Sequence, residues 1–483
     1  MKSTPKLTRT AAALLSVLVV ALPYPGRAQV PAGSPQLRLF APTDPVKVIR
    51  YGRGPVWLET GVFVTSEGGP FELRVGRSTY SAPITAQQAF RNGTSVQTRA
   101  VPAALVDGFN GLKDFLVIDV ADLEGEVIRS KILTWCPNGY DRQRVTDSGP
   151  AIPTYPSGCP YNPFTKGMPM GIDQDWAVNA FESGGAFFRI PDGMYHVTVS
   201  ISEPHREFFE IAPDAAEATF DMLVKSRKTD CEGCNRHHRS GANLERTYGV
   251  PTMEDPDPSI LPDLIPLPSW GINVEERRRG TFLSFGATVW VAGNSSMVVE
   301  GFRRRGEAVM DAYQYFYQDG QAVGRAPVGE MTYDSRRGHN HWHFRQFVAY
   351  RLLDADRNEV LLSAKEAFCL VPTDALDLLM QGAVLNPEST DLRTACGGPN
   401  SIWIRETLPL GWGDTYHQSL PGQSFDISGL PNGRYYIEVE ANPDRNLHES
   451  DVANNSEVRE IVLRGRPGAR RVDVPAWNGI DTH

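Results

Sequence analysis

Three of the ten histidines fall at alternate positions in Gly338-His339-Asn340-His341-Trp342-His343-Phe344. On a β-strand, residues i, i+2 and i+4 face the same way, so His339, His341 and His343 would line one side of one strand, close enough to share a metal ion. Neutral imidazole suits copper, zinc, nickel or iron; a polar strand face is the plain alternative. Downstream lie an amine, Lys365 in Ser363-Ala364-Lys365-Glu366-Ala367-Phe368-Cys369, and a phenol, Tyr416 in Gly413-Asp414-Thr415-Tyr416-His417. Asp414, two residues before the phenol, is a candidate general base or a turn-forming carboxylate. Farther on, Glu449-x-Asp451-x-x-Asn454-Asn455 gathers oxygen donors in a short stretch, which suits a hard cation such as calcium or an Asx-rich turn.

The elements that must position these groups read as strands. Short apolar runs at Val46–Ile49, Val56–Leu58, Gly61–Val64, Phe115–Ile118, Phe282–Phe285, Thr288–Val291, Met297–Val299 and Phe347–Leu353 are punctuated by Gly, Pro and Asn. That spacing predicts antiparallel sandwiches or barrels. At 483 residues the chain exceeds one ordinary domain. The expected fold is mostly β, with two related sandwich- or barrel-like domains joined by a long linker. The expected divisions are a signal peptide at 1–28, a β domain at 45–212, a linker at 213–258, a second β domain at 259–465 and a flexible tail at 466–483. Residues 29–44 read as a flexible lead-in.

The leader carries Lys2, Lys6 and Arg9 ahead of an apolar run from Ala11 to Leu22, with Gly26-Arg27-Ala28 as a cleavage site. Export to the outside, the periplasm or the cell envelope follows, and no later stretch reads as a membrane span. Cleavage would remove four basic residues and no acidic ones, taking the formal charge from −9 to −13. Such a chain has no footprint for nucleic acid and mildly attracts cations such as amines. In an exported chain the six cysteines are expected in disulfides. Cys231-Glu232-Gly233-Cys234, followed by His237-His238, reads as a local disulfide staple, with a zinc site or redox pair as alternatives.

The two β domains read as a duplication. Glu126–Ser130 leading to Trp135-Cys136 matches Glu359–Ser363 leading to Phe368-Cys369, and Ile190-Pro191-Asp192-Gly193-Met194-Tyr195 matches Leu430-Pro431-Asn432-Gly433-Arg434-Tyr435. Cys159 and Cys396 fall between the matched segments, so Cys136–Cys159 and Cys369–Cys396 are paired as equivalent bridges. The first half has no histidine at 95–115 to match the histidine triplet, and neither Lys365 nor Tyr416 has a counterpart; offsets read from the matched segments place them on Ile132 and Trp176. The first half therefore reads as a non-catalytic copy.

The ordered set of HxHxH, a Lys shortly before Phe368-Cys369-Leu370, and Asp414-Thr415-Tyr416 resembles the catalytic domain of the lysyl oxidases. The resemblance runs from about Pro262 to Asn455 and is similar to that family's bacterial-type members. It implies copper on His339, His341 and His343, and a lysine tyrosylquinone made from Lys365 and Tyr416. It also implies a structural calcium ion held by Asp263, the Leu264 carbonyl, Glu449, Asp451, Asn454 and Asn455. The implied activity is that of a protein-lysine 6-oxidase-like enzyme. Such an enzyme uses molecular oxygen to convert primary amines, whether peptidyl lysine in proteins or peptides or small amines, into aldehydes, ammonia and hydrogen peroxide. The chain departs from the animal enzymes in having Arg336 where they carry a further histidine, and no acidic residue in Phe344-Arg345-Gln346-Phe347. The contrasting reading is a non-enzymatic envelope protein that binds copper and calcium.

Overall fold

The computed structural model describes residues 35–482 apart from 42, 52–53, 60, 93–94, 147, 183–184, 228–248, 305, 337–339, 364 and 366. The leader, the Cys231/Cys234 pair with its histidines, and His339 lie outside the described residues.

The structure is built from β-sheets, and each half repeats the other's sheet order. In the first half one sheet runs Gln36–Phe40, Phe63–Glu67, Trp176–Asn179, Arg142–Arg144. In the second half it runs Pro262–Pro266, Gly280–Gly293, Trp412–Tyr416, Asp374–Ala375. Another runs Gly167–Ile172, Phe71–Gly76, Thr85–Asn92, Ser95–Val101, answered by Trp403–Leu408, Met297–Phe302, Val309–Gln318, Gln321–Asp334. A third runs Val127–Trp135, Leu112–Ala121, Gly193–Ile201, Glu217–Arg227, answered by Glu359–Leu362, Val348–Leu353, Gly433–Ala441, Ser456–Arg466. The matched Pro-Asx-Gly turns close in the same way: Tyr195 donates its hydroxyl to the Pro191 carbonyl and Tyr435 to that of Pro431, each at 3.0 Å. Cys136–Cys159 and Cys369–Cys396 are both bridged, with Cα atoms 6.0 and 6.1 Å apart.

The halves diverge in two connections. After Gln321–Asp334 the second half adds a strand, His341–Arg345, and a short partner, Ala367–Phe368, to the sheet edge. The first half fills the same stretch with two 3-10 turns, Ala103–Leu105 and Gly108–Asn110. After Gly193–Ile201 the first half inserts the helix Glu203–Phe209, which packs His205 and Phe209, one turn apart, inward. The corresponding connection in the second half is the loop that follows Gly433–Ala441, carrying Glu449 to Asn455.

Three expectations are corrected. The lead-in contains the paired strand Gln36–Phe40. The expected linker begins with Glu217–Arg227, an interior strand of its sheet that buries Phe220, Met222 and Val224 while alternate polar residues face outward. Its acidic composition hid a period-2 pattern. It pairs in parallel with Val46–Tyr51, so the sheets are not wholly antiparallel. The expected flexible tail forms the strand Ala469–Asp473, and Trp477 packs edge-on against Tyr80 and Phe164. Among the described residues no helix is long and apolar enough to cross a membrane.

The halves share a core rather than merely adjoining. Ala375, Leu378 and Trp412 of the second half belong to the first half's apolar cluster, and the backbone N–H of Lys166 and that of Leu378 bond across the boundary to Leu376 and Gly167 carbonyls. Trp412 begins the strand that carries Asp414 and Tyr416. Trp412→Ala is expected to cost about 3–5 kcal/mol and to be read as a lower denaturant midpoint.

Candidate active site

The histidine strand begins at His341, two residues later than three histidines on one strand require. Asn340 adopts a left-handed backbone with φ 53°, and Gln346, just past the far end, has φ 61°. Asn tolerates that region better than most residues. Within the strand, His341 and His343 share a face, with ring centroids 4.6 Å apart. Trp342 between them turns the other way, is buried, and donates its indole N–H to the Gly398 carbonyl at 2.9 Å. The neighbouring strand sets Asp334 opposite His341, and its carboxylate lies 3.9 Å from Nδ1 of the buried His343. Asp334 gave no signal in the sequence, because strand pairing alone brings it there.

Lys365 and Tyr416, 51 positions apart in the chain, meet. The Lys365 Nζ lies 4.2 Å from the Tyr416 ring centroid and 4.8 Å from that of Phe368. Phe368 packs edge-on against Tyr416 with centroids 4.9 Å apart, and pairs with Phe344, the neighbour of His343. Phe368 is thus the wedge between the histidine strand and the amine–phenol pair. Gly422 lets the lysine loop approach: its φ is 87°, and a Cβ there would stand 3.0 Å from the Lys365 Cβ. Ser363 fixes that loop from the other side, donating its hydroxyl to the Gly422 carbonyl and accepting from the Lys365 N–H.

Asp414 and Tyr416 project to one face of their strand, and Thr415 to the other. Thr415 meets Thr288 (2.7 Å) and Asn162 of the first half (3.4 Å). The Tyr416 hydroxyl donates to the Cys369 carbonyl at 3.1 Å, and the phenol also interacts with the Asp414 carboxyl. Burial dominates the electrostatics. It pushes Asp414 well above the usual carboxylate range, with Tyr416 and Lys365 pulling the other way. It lowers the Lys365 ammonium to about 8, against the attraction of Asp414. It raises the Tyr416 phenol further, reinforced by the carboxyl of Asp414. Both members of the Lys365–Asp414 pair are driven toward their neutral forms. A neutral amine beside a phenol ring, with a carboxyl two residues away, brings a nucleophile, an oxidisable ring and a proton acceptor together.

A second buried acid, Glu406, accepts from the Leu370 N–H at 3.1 Å and is held well above the usual range by burial. It had no sequence signature. Its side chain lies within 4.8 Å of the Cys369 and Cys396 sulfurs; these are joined to each other, which leaves no thiolate for a metal.

The acidic loop closes on the first strand of its half. Glu449 accepts from the Leu264 N–H at 2.8 Å, Asn454 donates to both oxygens of Asp263 at 3.1 Å, and the Ser450 N–H bonds the Pro262 carbonyl. Asn442 shapes the loop: it bonds both the N–H and the carbonyl of Leu447 and donates to Glu449 at 2.6 Å. The Asn442-Pro443 pair was the available sequence signal. Asp263 and Glu449 are raised by burial and by neighbouring carboxylates, and the Oδ1 atoms of Asn454 and Asn455 are buried without a partner. Oxygen donors with no hydrogen to accept fit a hard cation. The aromatic run at 311–317 is packing: Tyr315 and Phe316 are in the core.

Residues 313–470 match the family model for lysyl oxidase. The chain is 28% identical over 140 residues to lysyl oxidase homolog 4 of Mus musculus, covering 29% of this chain and 16% of that protein. It is 27% identical over 138 residues to lysyl oxidase homolog 3B of Danio rerio, covering 28% and 15%. It is 26% identical over 163 residues to lysyl oxidase homolog 2 of Gallus gallus, covering 33% and 18%. The chain therefore spans less than a fifth of the length of these relatives, and the family match lies in its second half. Over that part of the second half, the chain is similar to the lysyl oxidase family.

Proposed function

We propose that the second half is an exported, copper-dependent amine oxidase, acting on primary amines of peptidyl lysine or of small molecules. The observation that carries the reading is the Lys365 Nζ held 4.2 Å from the Tyr416 ring centroid. His341 and His343, side by side, with His339 ahead of them, would hold copper; paired imidazoles suit that ion. A quinone built on Tyr416 and joined to Lys365 would supply the electron sink for amine oxidation. The chain's own residues do the rest. Burial keeps Lys365 largely unprotonated above about pH 8, so its nitrogen is available to the ring. Phe368 and Gly422 fix its approach. Asp414, sharing a face with Tyr416, accepts the proton lost from the substrate carbon. The first half is a non-catalytic copy that braces the Tyr416 strand. Export is supported by the leader and by the two bridged cysteine pairs.

Loading metal-free protein with copper in air should produce quinone, seen by redox-cycling stain, and amine-dependent oxygen uptake. Copper binding without quinone would favour a non-enzymatic copper- and calcium-binding protein.

Asp263, the Leu264 carbonyl, Glu449, Asp451, Asn454 and Asn455 would hold calcium, tying the start of this half to its last hairpin. A ligand bound only by the folded chain stabilises it by about 2.7 kcal/mol at a hundredfold excess over its dissociation constant. Calcium should therefore raise the melting temperature and a chelator should lower it. Asp263→Asn combined with Glu449→Gln should abolish that response.

A further inference from the structure

A hollow of about 530 Å³ opens in the first half, lined by Asp107, Asn110, Ile132, Tyr140, Tyr161 and Glu182 among others, with no Lys or Arg among the described residues of its wall. The duplication gives it a meaning. Ile132 lies on Val127–Trp135, the counterpart of the strand leading to Lys365. Cys136 and Cys159, also in the wall, form the bridge that answers Cys369–Cys396. Asn110 ends the 3-10 turn that replaces the histidine strand. The hollow thus lies beside the counterparts of the lysine-bearing segment and of the histidine strand, and among the described residues its wall holds no lysine and no histidine.

What lines it has a chemistry of its own. Tyr140 and Tyr161 are 72% and 63% exposed, large aromatic surfaces left open to solvent. The two carboxylates accept hydrogen bonds from neutral donors, Glu182 from the Asp141 N–H at 2.6 Å and Asp107 from the Asn110 amide at 3.1 Å, while Arg142, outside the wall, interacts with Glu182 through its charge alone. Open aromatic faces beside carboxylates recognise an organic cation. A line of rings runs from the hollow toward the second half. Tyr161 lies 6.3 Å from Trp270, which lies 6.0 Å from His417, the residue after Tyr416.

We propose that this hollow binds an alkylammonium group without converting it, and so favours substrates that carry more than one such group. The link to turnover rests on reading the second half as an amine oxidase; the binding does not. Contacts of this kind predict weak affinity, on the order of millimolar.

The test is calorimetric titration of 1,5-diaminopentane into copper-free protein. The wild type should bind it and should not bind 1,5-pentanediol. Tyr140→Ala with Tyr161→Ala, and separately Asp107→Asn with Glu182→Gln, should each weaken binding at least tenfold. The near-isosteric Asn/Gln pair, with its melting temperature unchanged, guards against a folding artefact. In the copper-loaded enzyme the same pair should raise KM for the diamine and leave pentylamine unchanged. No binding by the wild type, equal binding of the diol, or unweakened binding by the Asn/Gln pair would overturn the proposal. Because the titration needs no quinone, that failure would leave the amine oxidase reading standing, and absence of quinone would leave the binding result standing.

Discussion

Tyr416→Phe is expected to abolish amine turnover and quinone formation together while the chain stays folded and still takes up copper. The change removes one oxygen. That oxygen donates to the Cys369 carbonyl and also interacts with the Asp414 carboxyl; losing a hydrogen bond of this kind costs about 1 kcal/mol. The ring itself remains, so Phe368 keeps its edge-on partner and Lys365 keeps a face to lie over. A stability change this small cannot account for loss of activity, which would follow from the missing phenol alone. The measurements are oxygen uptake with a primary amine, redox-cycling stain, and copper content. A Phe variant that still turned over amines would point to oxygen chemistry at the metal without a quinone.

Asp414→Asn should lower kcat by about 10²–10⁴-fold, the usual contribution of a positioned general base, with copper content unchanged. The pH dependence gives it a signature. Burial raises the Asp414 carboxyl well above its ordinary range, so the ionised base is lost early as pH falls. Wild-type activity should rise with pH through that raised value, and this limb should vanish in the Asn variant. Stability runs the other way. Between the ordinary carboxylate pKa and the raised one, the folded state holds a proton that the unfolded state has released, so the carboxyl's contribution to stability falls as pH rises. Asn carries no such loss, and the variant should be as stable as the wild type near neutrality, or more so. Residual activity with an unaltered pH profile would assign the base elsewhere, with Glu406 as a buried alternative.

The sequence exposed the chemistry better than the frame that holds it. Matched Pro-Asx-Gly-x-Tyr turns and matched cysteines revealed the duplication, because turn geometry and bridges are written locally. The meeting of Lys365 and Tyr416 was legible only through resemblance: nothing in a lysine beside a strand or a tyrosine in Asp-Thr-Tyr says that they converge. Asp334, Phe368 and Glu406 were missed because their roles come from pairing between distant strands. Glu217–Arg227 was taken for linker because its acidic residues alternate with the apolar ones it buries. The same pairing shows where the halves parted. Two 3-10 turns stand in for the histidine strand, and a short helix stands in for the acidic loop. The segments proposed to hold metal are thus where one copy was rebuilt and the shared sheets were not.

The account depends most on a bond between Lys365 and Tyr416. Protease digestion of copper-loaded, aerated protein followed by mass mapping should yield a covalently joined pair of peptides carrying those two residues, absent from protein kept free of copper. Recovery of both peptides separately and unmodified after copper loading would contradict it.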